Sequence, residues 1–106
     1  MNRGFVYNIV LIERGYQDAK WGDIEQSPHT IEEWLQIMQD ELDEARTAFE
    51  GGDEAAAMQE ISQVAAVAFA AMEQHGVAPR RGLPDSDRFI RFLNSFKVEK
   101  DEQPDE

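Results

Sequence analysis

Two sets of oxygen-bearing side chains in this chain have the types and spacing to do chemistry. Glu41 and Glu44 lie in the run Asp40-Glu41-Leu42-Asp43-Glu44, and Glu60 and Gln63 lie in Glu60-Ile61-Ser62-Gln63-Val64. Each pair is spaced i, i+3, so on a helix its two members share one face. If two such helices pack antiparallel, three carboxylates and an amide oxygen converge on one point. Hard oxygen ligands in that arrangement suit Mg²⁺ or Mn²⁺. A cation held there would in turn hold a phosphate chain.

The elements that must position these groups are helices. Residues 4–20 carry Phe5, Ile9, Ile12, Tyr16 and Ala19 at steps of four and three, with Val6 and Val10 widening the stripe. Trp21-Gly22 to Pro28 reads as a loop. Thr30 with Glu33 three residues later forms a capping-box signature, and the stripe Ile31, Trp34, Leu35, Met38, Leu42, Ala45, Phe49 follows it. Gly51-Gly52 ends this second helix and Asp53 caps a third, over residues 54–75. The short turn makes helices two and three an antiparallel hairpin, so the two oxygen sets can face each other.

Val64 to Met72 contains no polar residue. A helix apolar on all sides is buried on all sides, which in so small a chain points to a subunit interface. A short fourth helix is expected after Asp85 or Ser86, with Phe89, Phe92, Leu93 and Phe96 as its stripe. No segment alternates as a strand does. The expectation is one all-α domain over residues 1–97, a four-helix bundle completed by oligomerisation. Residues 98–106 form an acidic tail expected to be disordered.

The charge is −12, from 22 acids and 10 bases, which argues against a nucleic-acid binder that neutralises phosphates. There are no cysteines, so disulfides and thiolate metal sites are excluded. No uninterrupted apolar run reaches about 18 residues, so no membrane span is expected. The start lacks the long apolar stretch of a signal peptide. A cytoplasmic protein is the expectation.

Glu41 and Glu44 taken alone are what a solvated helix flank looks like. Glu60 changes the balance, because it shares a helix face with Val64, Val67 and Ala71, and Gln63 borders that face. An unpaired buried carboxylate is costly or has a raised pKa, and clustered carboxylates repel. A divalent cation removes both penalties. Ion pairs with Arg14 or Arg46 are the competing explanation.

The order and spacing of these residues resemble the all-α nucleoside triphosphate pyrophosphohydrolases, the MazG-like and dUTPase-like superfamily. Its signature is E-E-x-x-E followed by E-x-x-D on the next helix. Here Asp40-Glu41-x-x-Glu44 takes the first part and Glu60-x-x-Gln63 the second, within a resemblance covering roughly residues 5–75. Gln63 stands where the family usually has an Asp ligand, and its single neutral carbonyl oxygen implies weaker metal binding.

The resemblance implies Mg²⁺ (or Mn²⁺) held by Glu41, Glu44, Glu60 and Gln63. It also implies hydrolysis of a (d)NTP to the monophosphate and pyrophosphate, and a homodimer or homotetramer. Glu41, Glu44 and Glu60 are then the catalytic carboxylates, with Glu44 or Asp40 orienting the attacking water. Lys20, Trp21, Arg46, Arg80 and Arg81 are candidates for substrate contacts: cations for the phosphates, and Trp21 for base stacking or as a loop anchor. His29 has no second histidine at ligand spacing and reads as a helix-entry residue. The rival functions are a non-catalytic acidic helical interaction module, which Gln63 favours, and an acidic DNA mimic.

Overall fold

Three helices form where the sequence punctuates itself. A computed structural model describes residues 1–78 together with Arg80, Arg88 and Arg91. Helix α1 runs Arg3–Trp21, α2 Ile31–Glu50 and α3 Glu54–His75, and there is no strand among the described residues. The expected fourth helix, Arg81 and the acidic tail lie outside the described residues, apart from Arg88 and Arg91.

The helix ends follow from local chemistry. The Thr30 side chain accepts from Glu33 N at 3.1 Å, and Glu33 Oε1 accepts from Thr30 N at 2.9 Å, completing the capping box. Asp53 Oδ1 accepts from Ala56 N at 3.0 Å and starts α3. Gly52, at φ 89°, supplies the left-handed step of the α2–α3 turn, a conformation an L side chain rarely adopts.

Helix α3 is the centre: α1 and α2 both pack on it and, among the described residues, not on each other. Helices α2 and α3 are antiparallel, with Trp34 meeting Gln74 at one end and Phe49 beside Ala57 near the turn. The core is small. Trp34, Val67 and Ala70 form its cluster, with Ile24, Ile37, Met38 and Ala71 packed around it. By length and composition alone α3 would also suffice to cross a membrane.

The apolar stripe of α1 does not face the core. Phe5, Ile12 and Tyr16 are exposed, and Val10, Arg14 and Gln17 are buried instead. At 100° per residue the two faces lie roughly 150° apart. An ion pair explains the rotation. Arg14 donates from Nε and Nη2 to both oxygens of Glu73 on α3, at 3.0 and 2.7 Å, and from Nη1 to Asp18 at 2.8 Å. This bidentate bridge turns Arg14, and Val10 and Gln17 with it, toward α3. Along α2 only Trp34 and Ala45 are buried, and Ile31, Leu35, Leu42 and Phe49 stay exposed. On α3, Ala57, Ala66, Val67 and Ala70 are buried while Met58, Ile61 and Met72 are not. The all-round burial expected for α3 is therefore not reached within one chain.

Candidate metal centre and cleft

The α2–α3 hairpin brings Glu41, Glu44 and Glu60 together. One carboxylate oxygen from each lies within 4.8 Å of the other two. Oxygens that share one divalent cation at about 2.0–2.6 Å stand no more than about 5 Å apart, so this spacing fits a shared ion. Glu41 and Glu60 are half-buried and Glu44 is exposed.

Glu41 Oε1 and Glu60 Oε1 are each buried without a hydrogen-bond donor. Burial first, then a hydrogen bond with Glu60 and the charges of Glu44, Glu60 and Glu13, push the Glu41 carboxyl up from 4.5 to about 7. These facts agree once the proton is counted. Two ionised carboxylates cannot hydrogen-bond, and a proton on Glu41 makes the Glu41–Glu60 contact a bond. The cluster needs either a proton or a cation. The competing explanation fails, since Arg14 pairs with Asp18 and Glu73, and Arg46 lies 3.9 Å from Glu50. The residues present therefore fit a hard divalent cation.

The linkage follows from the raised carboxyl. Folded Glu41 keeps a proton that the unfolded chain has released, so the metal-free protein loses stability as pH rises from about 4.5 to about 7. The whole shift corresponds to ~3 kcal/mol, which water in the open cleft screens to ~1–2 kcal/mol. Melting curves in a chelator should show this fall, and Glu41→Gln should flatten it. The same slope in that variant would assign the titration elsewhere.

Gln63 lies on α3 one turn beyond Glu60 and is half-buried. Its backbone carbonyl accepts from Gln17 Nε2 at 3.4 Å.

Glu41 also lines a cleft of about 410 Å³ between α1 and α2. Val67 and Ala70 form its floor, and Trp21, Ile24, Trp34 and Ile37 give it apolar walls. Trp21 is 56% exposed at the rim, with Lys20 Nζ 4.7 Å from its ring centroid. Lys20 and Trp21 are thus adjacent, and Trp21 opens onto the cleft. Arg46 lies elsewhere, in a shallow groove with Leu42, Phe49 and Met58. Arg80 is exposed, and Arg81 lies outside the described residues.

Two residues that hold the cleft's walls carry no motif in the sequence. The first is the buried Arg14 in its wall, signalled only by the i, i+4 spacing to Asp18. The second is Gln74. Its Oε1 accepts from His29 N at 3.0 Å and from Trp34 Nε1 at 2.9 Å, and its Nε2 donates to His29 O at 2.8 Å. One amide thereby ties the entry of α2 to the end of α3 and fixes the Trp34 indole. His29 stands edge-on to that ring at 4.7 Å, as a wall residue.

Comparison with family models, with curated proteins and with solved structures finds no match to this chain.

Proposed function

We propose that this protein is a divalent-cation-dependent nucleoside triphosphate pyrophosphohydrolase, converting a (d)NTP to the monophosphate and pyrophosphate. The observation that carries the reading is the pair of buried, donorless oxygens of Glu41 and Glu60 beside Glu44. The spacing of Asp40-Glu41-x-x-Glu44 and Glu60-x-x-Gln63, which resembles the MazG-like enzymes, supports it. So does the apolar cleft that begins at Glu41.

In this reading Glu41, Glu44 and Glu60, with the Gln63 side-chain amide oxygen, would hold Mg²⁺ or Mn²⁺. When bound, the cation would neutralise charge on the phosphate chain and make phosphorus more electrophilic. Glu44, the exposed member, orients a water and takes its proton, and Asp40 is the alternative base. The water oxygen bonds to the α-phosphorus, the bond from that phosphorus to the bridging oxygen breaks, and pyrophosphate leaves. Trp21 stacks on the base, and the walls of Trp34 and Ile24 exclude water. Lys20 meets the phosphates at the rim. Arg14 is already engaged by two carboxylates, so it serves the wall rather than the substrate.

The second reading, a non-catalytic acidic helical module, draws on Gln63. A panel of the dNTPs with Mg²⁺ or Mn²⁺ and pyrophosphate detection separates the two. Metal-dependent release of pyrophosphate is the expected result, and its absence across the panel favours the module.

Gln63 gives a graded test. Gln63→Asp adds a charged oxygen beside the cluster and should tighten Mn²⁺ binding by about one to two orders of magnitude in calorimetric titration. Turnover need not follow, since a tighter ground state does not lower the barrier. Unchanged affinity with a lower melting temperature would remove Gln63 from the site.

A further inference from the structure

We propose that the cleft reads its nucleotide by an exocyclic amine on the base, with the amide oxygen of Gln17 as the acceptor, so that cytosine and adenine are taken in preference to uracil and hypoxanthine. This rests on the nucleotide reading of the cleft and names the base class which that reading leaves open. Gln17 lines the cleft from α1 and is 8% exposed, yet no step of the proposed reaction uses it. Its Nε2 faces two acceptors, Glu13 Oε2 and the Gln63 backbone carbonyl, each at 3.4 Å. An oxygen in that place would oppose two oxygens, so hydrogen bonding fixes the amide this way round. Oε1 is then the atom turned from both, and it accepts no hydrogen bond among the described residues. A buried side chain with an unpaired amide oxygen beside a cleft is a place for a donor.

The rest of the wall has the same character. Arg14 engages all three guanidinium nitrogens with Glu73 and Asp18. Trp34 Nε1 donates to Gln74 Oε1, and Ser27 Oγ donates to the Trp21 carbonyl at 2.7 Å. His29 Nδ1 lies 3.6 Å from Glu33 Oε1, which favours the ring proton there and leaves Nε2 an acceptor. What these side chains offer the cleft is oxygen: Gln17 Oε1 with the carboxylates of Asp18 and Asp23. Lone pairs of that kind take N–H donors and reject carbonyl oxygens.

A base suits this wall because Ile24, Trp34 and Ile37 are apolar where the faces of a ring would lie. Phosphates do not, since Asp18 and Asp23 would repel them toward the cation at the Glu41 end. Cytosine and uracil are nearly the same size, so shape does not separate them. They differ where cytosine carries an amine and uracil a carbonyl, and adenine differs from hypoxanthine in the same way. The amine satisfies Gln17 Oε1. The carbonyl leaves it without a donor and sets oxygen against oxygen. Uracil keeps a ring N–H, but the carbonyls on either side of it bring oxygen to the same wall.

Titration of the full ¹⁵N-labelled chain with uncharged deoxynucleosides, followed by NMR without metal, tests the contact apart from hydrolysis. Deoxycytidine should shift the Trp34 Nε1–H and Gln17 Nε2 resonances and bind about tenfold or more tighter than deoxyuridine. Deoxyadenosine should exceed deoxyinosine likewise. Gln17→Met keeps the volume without the acceptor and should bring each pair to within about twofold. The 2-pyrimidinone deoxynucleoside, which lacks the amine, probes the same contact in the unaltered protein and should bind no better than deoxyuridine. Equal binding within the pairs, discrimination that survives Gln17→Met, or no shift at the cleft with any nucleoside would overturn the proposal. Equal pyrophosphate release from dCTP and dUTP would overturn it too and leave the hydrolase reading standing. Nucleoside discrimination without pyrophosphate release from any dNTP would support the base site and remove the hydrolase.

Discussion

Replacing Glu60 with glutamine is expected to lower pyrophosphate release by about 10³-fold or more while leaving the metal-free protein at least as stable as its parent. The two effects have opposite signs for one reason. Glu60 has a buried oxygen without a donor, and one oxygen of its carboxylate lies within 4.8 Å of oxygens from Glu41 and Glu44. Without a cation that arrangement is repulsive once Glu41 gives up its proton, above about pH 7, so a neutral amide of the same shape relieves it there. With a cation bound, the Glu60 carboxylate would be a ligand, and its loss would remove charge where the phosphate chain must be neutralised. A residue kept for packing would behave otherwise, costing stability when changed and sparing turnover. Parallel melting curves and initial rates on the one variant separate these outcomes. A destabilised variant with near-normal rates would take Glu60 out of the reaction.

Trp34→Ala is expected to cost ~3–5 kcal/mol, the range for removing a large buried aromatic, which is enough to unfold much of a domain this size. Trp34 is 8% exposed and sits at the centre of the core with Val67 and Ala70. Its indole N–H also occupies Gln74 Oε1, the atom that holds the His29 backbone. Losing the ring therefore opens the core and loosens the entry of α2 together. Trp34→Phe keeps most of the volume and should lose less, with the remainder reporting the Gln74 bond. Denaturant titration of both variants gives the comparison. If Trp34→Ala melted like the parent, the core would have to lie elsewhere.

Helices α2 and α3 are legible in the sequence because each is marked at its ends: Thr30 with Glu33, Gly51-Gly52, Asp53 and Gly76 fall where chain geometry needs them. The carboxylate cluster is legible too, since i, i+3 spacing on two helices joined by a tight turn leaves little freedom. The orientation of α1 is not. Periodicity finds an apolar stripe but does not say whether the covering surface belongs to the same chain. The contact that decides it, Arg14 with Glu73, spans 59 residues. The Gln74 bridge is invisible for a similar reason, because a glutamine near a helix end has no signature and its partners lie 40 and 45 residues away. Helix geometry alone excludes Arg46 from the cluster. Five residues from Glu41 place it about 140° round α2 at 100° per residue, too far to join the cluster.

Glu41, Glu44 and Glu60 would hold one divalent cation between α2 and α3. Anomalous diffraction at the manganese edge, from crystals grown with Mn²⁺, tests it most directly. A manganese peak within about 2.0–2.6 Å of oxygens from all three carboxylates is the expected result. Crystals that hold no manganese there, with Glu41 and Glu60 still in contact through a shared proton, would contradict it.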